Sequence, residues 1–584
     1  MKKFIFIIIA MFALAGCNEE NFLNEKPLDF MSAANSYETT ADFDAAVTEL
    51  YYLVRLEFFG DVNRNWDYIK YADMMMTSDG KANLAADLNP SSDVAKGHWD
   101  RLYKIVAQAN VIVSRVNKSA TLTEAQKEVY MAKALFFRGF AYRTLAYLYG
   151  GVPLQLEEVT SPRTDFTRAT REATINQAIE DVKYGTTRLP GVTEVKDGEI
   201  TDAAAYFLLA ELYLAAGNNT EAINAATTVI NNPALGLMTE RFGSRMNEDG
   251  DVYWDLFRRD NQNRSSGNTE GIWVIQEEVD VPGGGSSTSD FFWYTSSYWL
   301  ERICAPQTGL FRFILPDGTS VAPFVWPTGD YTGGRGIASL FANKHFYHEV
   351  WESDFDNDIR NSEYNWPRKF KFNDPNFIAK YGDMFGTEID LENPNLPAGV
   401  KIETGYDNGV LPPDALPNRF LCGYQTKCTT PFNHPDAQYL NKDTYLISGT
   451  GGKTVQDQYM FRLAEAYLLR AEAYLKDQQA DKAAADINVV RARAKAKPCT
   501  ASEVDMDYIL DERLREFGIE EKRLLTLQRT GTMYDRIMAH NEYYNLAKNS
   551  ATGEVFQQKY TLLPIPLSAI EANKDAVLEQ NPGY

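Results

Sequence analysis

Residues 210–222 read AELYLAAGNNTEA, and residues 471–483 read AEAYLKDQQADKA. Ala210, Glu211, Tyr213, Leu214 and Ala222 recur as Ala471, Glu472, Tyr474, Leu475 and Ala483. In the first copy Ala204, Phe207, Leu208, Leu212 and Ala215 share one face, followed by Ala222, Ala226 and Val229. In the second, Ala464, Tyr467, Leu468, Ala471 and Leu475 do the same, followed by Ala483, Ile487, Val490 and Ala494. Spacings of three and four residues mark amphipathic helices. A short polar turn between two such helices gives a helical hairpin, with small residues where the helices cross.

Such hairpins resemble tetratricopeptide units. A further pair lies upstream, with helices predicted over 98–117 and 124–149; Ala132, Leu135, Phe136, Gly139, Tyr142 and Ala146 form the stripe of the second. The fold class expected is therefore mainly α: a tetratricopeptide-like helical scaffold over 40–235 and 456–584. Between them, 236–455 is rich in Gly, Pro, Asn, Asp and aromatic residues, a composition of loops and short strands; GIWVIQEEV (271–279) is one such strand. An irregular lobe on a helical scaffold is a common way to present a binding site.

The amino terminus gives the address. MKKFIFIIIAMFALAGC has a basic start, an apolar run from Phe4 to Leu14 and small residues before Cys17. The run is shorter than the roughly 20 residues of a membrane-spanning helix and has the form of a secretory signal over 1–16. LAGC resembles a bacterial lipobox, which implies lipidation of Cys17 and a polar tether over 17–39. The acidic NEENFLNE after the cysteine resembles an export signal to the outer face. With 584 residues, length alone suggests about 3–4 domains. The net charge of −22 repels phosphate backbones, so nucleic acid is not an expected partner. Export permits disulfides; Cys422 and Cys428 are close enough in sequence to pair across a short loop, a point the sequence leaves open.

Several stretches, in order along the chain, resemble the SusD/RagB family of outer-membrane nutrient-binding lipoproteins. They are FLNEKPLDF (22–30), AKALFFRGFAYRTLAYLYGGVPLQ (132–155), RATREATINQAIEDVKYGTTRLP (168–190), YMFRLAEAYLLRAEAYL (459–475), DINVVRARA (486–494), ERLREFGIEEKR (512–523) and LLPIPLSAIEANKDAVLEQNPGY (562–584). The chain departs from the family pattern at Glu521, where Gly is usual, at Leu524, where an aromatic is usual, and at Thr526, where an acid is usual. The resemblance implies a lipid-anchored protein on the exterior face of the outer membrane. It implies capture of a glycan, or in some members peptides, and delivery to a SusC-like TonB-dependent transporter.

A glycan site needs exposed flat aromatics and polar groups at their rim, and Tyr and Trp combine an apolar body with a polar handle. The lobe offers FFWYTSSYW (291–299) after the Gly/Ser-rich 281–290, and APFVWPTGDYTGG (322–334). Phe291 and Phe292 are expected in the core. Trp293, Tyr298, Trp299, Trp326 and Tyr331 are the candidate stacking platforms. A second candidate loop, NRNWDYIKYADMMMTSDGKANL (63–84), offers Trp66 for stacking and Asp79, Lys81 and Asn83 for hydroxyls; turn chemistry is the competing reading of those polar residues. Trp99 is expected in the core.

Catalysis is not the expected activity. H-E-x-x-H, G-x-S-x-G, P-loop and dinucleotide fingerprints are absent from the sequence, although abundant carboxylates leave a glycosidase pair open. A surface glycosidase, a peptide-capturing relative and an adhesive lipoprotein are the alternatives. No cofactor is required. His345, His348 and Glu349 are spaced for a zinc site, with a surface helix as the competing reading. DFDNDIRNSEYN (354–365) begins like a calcium loop but lacks Gly at its sixth and Glu at its twelfth position. A looser structural calcium site there stays open, and Asp358-Ile359-Arg360 also resembles a structural segment of the family.

Overall fold

The computed structural model describes residues 37–60, 66–77, 84–281, 298–403, 415–545 and 555–584. Its described helices of eight residues or more are α1 Thr40–Phe59, α2 Asp93–Val116, α3 Glu124–Tyr149, α4 Arg171–Gly185, α5 Asp202–Ala215, α6 Asn219–Ile230, α7 Pro375–Phe385, α8 Leu463–Lys476, α9 Ala480–Arg493, α10 Met506–Glu516, α11 Arg523–Thr530 and α12 Met533–His540. All but α7 lie in the two scaffold segments, so the mainly α expectation holds.

Local chemistry sets the helix ends. Thr123 and Gln126 form a reciprocal capping box at the start of α3, and Ser92, Thr170, Thr201 and Asn218 cap α2, α4, α5 and α6. Each such cap is worth about 1 kcal/mol. Helix α3 is nearly all buried from Tyr130 to Tyr149, because α2 and α4 both pack against it. Gly139 makes the α4 approach possible: a Cβ there would stand 2.6 Å from Val182 Cγ2 and 2.9 Å from the Ala178 carbonyl oxygen. The two sequence copies meet in space, since the α5–α6 hairpin packs against α8 of the second hairpin.

Two short strand pairs bind the lobe to the scaffold. β2 (Gly271–Ile275), the strand read from sequence, pairs antiparallel with β4 (Gln458–Arg462), which runs into α8. β1 (Met75–Thr77) pairs antiparallel with β3 (Leu340–Ala342). Trp273 on β2 is 1% exposed and meets Phe136, Phe140 and Phe461 edge-on at 5.4–5.6 Å. Trp99 is buried as expected, edge-on to Tyr149.

Buried ion pairs complete the seam. Arg462 pairs with Glu516 at 2.7 Å and with Glu270, and Arg493 joins the same two carboxylates. Arg360 reaches Asp358 at 2.6 Å, Glu512 at 2.8 Å and Glu516 at 3.1 Å. This corrects the open calcium reading: Asp358 is bound to a guanidinium, and Asp354 accepts the Lys497 amide at 2.6 Å and the Asn357 side chain at 2.7 Å. The departures at 521 and 526 are linked. Thr526 Oγ1 donates to Glu521 at 2.9 Å, and Arg513 and Arg523 hold the same carboxylate. Cys304, Cys422, Cys428 and Cys499 are buried free thiols. No described helix is long and apolar enough to cross a membrane.

Candidate functional site

A cleft of about 1300 Å³ opens on the lobe. Tyr331, Phe355, Tyr364 and Phe432 line it, together with the more deeply buried Trp254 and Trp366. Tyr331 follows the Trp326-Pro327 turn. Its carbonyl accepts from Tyr424 Oη at 2.9 Å, and the turn closes through the Gly333 and Gly334 amides onto the carbonyls of Asp330 and Thr328. Gly334 has φ +65°, and a Cβ there would lie 2.3 Å from Glu301 Oε1, so both conformation and space require glycine. Phe432 is held by its amide on the Gly329 carbonyl at 2.7 Å. It stands edge-on to Tyr331 at 5.6 Å and to Tyr445 at 4.7 Å, and it is 39% exposed.

The wall is stiffened by guanidinium groups on rings. Arg245 and Arg258 lie 4.8 and 4.6 Å from the Trp254 ring, and Arg368 lies 4.9 Å from Phe355 and 5.5 Å from Trp366. Burial pulls Arg258 and Arg368 down to about 10, still charged at neutral pH. Burial also raises the Tyr331 hydroxyl, which therefore stays protonated and able to donate. Carboxylates rim the opening: Glu248 pairs with Arg245, Glu392 with Arg368 at 3.2 Å and Asp390 with Lys369 at 3.7 Å, beside Asp249 and Glu363. Ring faces with donors and acceptors at their edges suit a ligand with apolar faces and hydroxyl edges.

Of the residues expected from sequence, Tyr331 lines this cleft. Trp326 is half-buried beneath Arg335, 4.2 Å from its ring. Tyr298 and Trp299 are corrected from platforms to packing: they are 5% and 3% exposed. Tyr298 meets Phe59 edge-on, and Trp299 is covered by Arg302 at 4.1 Å and Lys453 at 5.8 Å. Trp66 is half-buried against the core with Lys70 over its ring at 5.6 Å. Trp293, Asp79, Lys81 and Asn83, with Phe291 and Phe292, lie outside the described residues. The zinc spacing is also revised: His348 turns away from His345, toward Glu392 at 3.3 Å and Glu352 at 3.7 Å.

The cleft residues that sequence reasoning missed are Trp254, Phe355, Tyr364, Trp366 and Phe432. The available signal was an aromatic beside a guanidinium in one short window, as in YWDLFRR (253–259) and YNWPRKF (364–370).

Comparison with known proteins places this geometry in context. Residues 323–584 match the model described as "SusD family", residues 21–214 match "Starch-binding associating with outer membrane", and residues 1–18 match "Prokaryotic membrane lipoprotein lipid attachment site". The two larger matches and the lipid-attachment site indicate a lipid-anchored protein of the outer membrane. A SusD-like protein of Formosa agariphila is 23% identical over 97% of this chain and 96% of its own length. The starch-binding protein SusD of Bacteroides thetaiotaomicron is 37% identical over 21% of each chain. Among solved structures, surface glycan-binding protein A from Bacteroides thetaiotaomicron in complex with laminarihexaose superimposes with a TM-score of 0.62 at 18% identity, covering 93% of this chain and 99% of that one.

Proposed function

The chain belongs to the SusD/RagB family, and from that premise we propose that it captures a glycan at the outer surface of the outer membrane without cleaving it and passes it to a SusC-like TonB-dependent transporter. The observation that carries this reading is the cleft lined by half-buried Tyr331 and exposed Phe432, whose rings stand among polar and charged groups able to bind hydroxyls. The reading is further supported by relatives whose names specify starch binding and a laminarihexaose complex. The lipid on Cys17 holds the protein at the membrane; each buried CH₂ contributes about 0.8 kcal/mol. The scaffold helices are then free to contact the transporter while the lobe holds ligand.

Native affinity electrophoresis of the lipid-free chain across a polysaccharide panel tests it. Retardation by a glycan, with no hydrolysis products, is the expected result. Tyr331→Ala is expected to weaken that retardation about tenfold, the equivalent of about 1.4 kcal/mol. Hydrolysis would make the protein an enzyme, and retention of peptides instead of any glycan would make it a peptide-capturing member. Co-purification of a β-barrel transporter with the lipidated protein from detergent-solubilised outer membranes tests the delivery step.

A further inference from the structure

Away from the cleft, three ligand-type side chains converge where the lobe meets the C-terminal helices. His345 lies in the short helix Lys344–Tyr347, Glu349 opens the next turn, Glu349–Trp351, and His540 ends α12. Each offers one ligand atom, and the three atoms lie within 4.8 Å of one another. His345 Nδ1 stands 3.3 Å from Glu349 Oε2, and the rings of His345 and His540 lie 3.8 Å apart. One asparagine ties the two histidine-bearing segments together. Asn343 caps the His345 turn through the Phe346 amide at 3.0 Å and donates to the His540 carbonyl at 2.8 Å.

The surroundings are those of a liganding imidazole. His345 Nε2 stands 3.0 Å from Asp511 Oδ1, and Arg536 holds Asp511 at 2.6 Å. With its proton on Nε2, toward Asp511, the imidazole offers its Nδ1 lone pair to a cation. Two imidazoles and one carboxylate form a donor set that suits zinc and leave a fourth position for water.

We propose that His345, Glu349 and His540 bind one divalent transition-metal ion, zinc by preference, which staples the lobe to the C-terminal helices. The rings now lie 27° from parallel, and a shared cation must lie in the plane of each. Half-buried His540 is therefore the residue that swings, while His345 stays fixed by Asp511. Two cations face the site. Lys344 Nζ, on a 69% exposed side chain, pairs with the other oxygen of Glu349 at 3.0 Å and is readily displaced. Arg536 stands 3.1 Å from His345 Nε2, opposite the metal-facing side, with Asp73, Asp507 and Asp511 around it.

Calorimetric titration of the chelator-stripped, lipid-free chain with zinc chloride, beside melting curves with zinc or magnesium, tests the proposal. Saturable binding of one zinc per chain is expected, with a melting temperature that rises with zinc and not with magnesium. His540→Gln removes the imidazole at similar size and is expected to weaken zinc binding at least about tenfold; half-buried Glu349→Gln is expected to do so by a similar factor, within the range seen when a site loses one partner. If His540→Gln disturbs the metal-free melt, Glu349→Gln alone decides the matter. No zinc heat up to about 100 µM, or equal binding by wild type and the deciding variant, as scattered surface carboxylates would give, overturns it.

Discussion

The ring of Tyr298 meets the ring of Phe59 edge-on with centroids 5.5 Å apart, so the lobe is keyed into the end of the first scaffold helix. Phe59 is itself 2% exposed and covered by Lys522, 4.2 Å from its ring. Tyr298 further fixes the chain by accepting the Thr454 amide on its carbonyl at 2.7 Å. The pair is a packing element, and Tyr298→Ala is expected to cost about 3–5 kcal/mol, as truncation of a large buried aromatic does. Urea unfolding measures it. A midpoint equal to wild type would mean that Tyr298 stands at the surface.

Asp73 joins the two halves of the scaffold. It accepts two parallel hydrogen bonds from Arg523, at 2.8 and 2.7 Å, and a third from Arg536 at 3.0 Å. Burial opposes its charge, but the guanidinium of Arg523, then that of Arg536, holds its carboxyl far below the usual range. A depressed pKa contributes stability that is present above the unfolded value of 3.8 and lost as pH falls below it. Asp73→Asn leaves the buried guanidinium groups without that charge and is expected to cost about 3–5 kcal/mol at pH 7. The difference from wild type should shrink below about pH 4. A gap that persists undiminished at pH 3 would refute the electrostatic account.

The helical scaffold was legible because periodicity is local: the faces of α5, α6, α8 and α9 are read within each window, and Gly139 sits on its stripe. Which aromatics of the lobe are exposed was not legible. FFWYTSSYW carries no clean alternation, so the burial of Tyr298 and Trp299 depends on partners distant in sequence, such as Phe59 for Tyr298 and Lys453 for Trp299. The cleft hides for the same reason. Trp254, Tyr331, Tyr364 and Phe432 come from four segments far apart in sequence and meet only in the folded chain. The pairing of Glu521 with Thr526 shows a compensation that motif comparison splits into two unrelated departures.

Glu277 lies just beyond β2 and is 6% exposed, with Arg55 3.7 Å away and Oε1 unpartnered among the described residues. Burial, partly offset by Arg55, lifts its carboxyl from 4.5 to about 8. A carboxyl with a higher pKa in the fold binds more protons there, so stability falls as pH rises from about 4.5 to about 8. Asp457, which accepts the Glu277 amide at 2.7 Å and is raised to about 6, adds to the same slope. Glu277→Gln is expected to be more stable than wild type at pH 9 by at least about 1.4 kcal/mol, the equivalent of one pKa unit. The two should converge at pH 4. Chemical denaturation at both pH values checks this, and parallel curves would place an ionised Glu277 in water.

The charges of the cleft set which glycans it holds, given the function proposed above. Of the cations that line it, Arg245 is matched by Glu248, Arg368 by Glu392 and Lys369 by Asp390, and Lys371 lies opposite Glu388 across a strand pair, while Arg258 in the wall is buried at 1% exposure. Asp249, Asp330 and Glu363 then leave the lining with surplus negative charge. A uronate or sulfate brought into this space gains no unmatched cation and meets carboxylates, whereas a neutral sugar stacks on Tyr331 and Phe432 and bonds to the rim. Neutral polysaccharides are therefore expected to retard the protein, and uronic or sulfated polymers of comparable size are not. Glu363→Gln and Glu388→Gln together remove two of the repelling charges. They should raise retention on an anionic polymer, most visibly at low ionic strength where screening is weak, and leave retention on the neutral ligand within about twofold. Stronger binding of wild type to an anionic polymer than to any neutral one would show that the ligand is held somewhere other than this cleft.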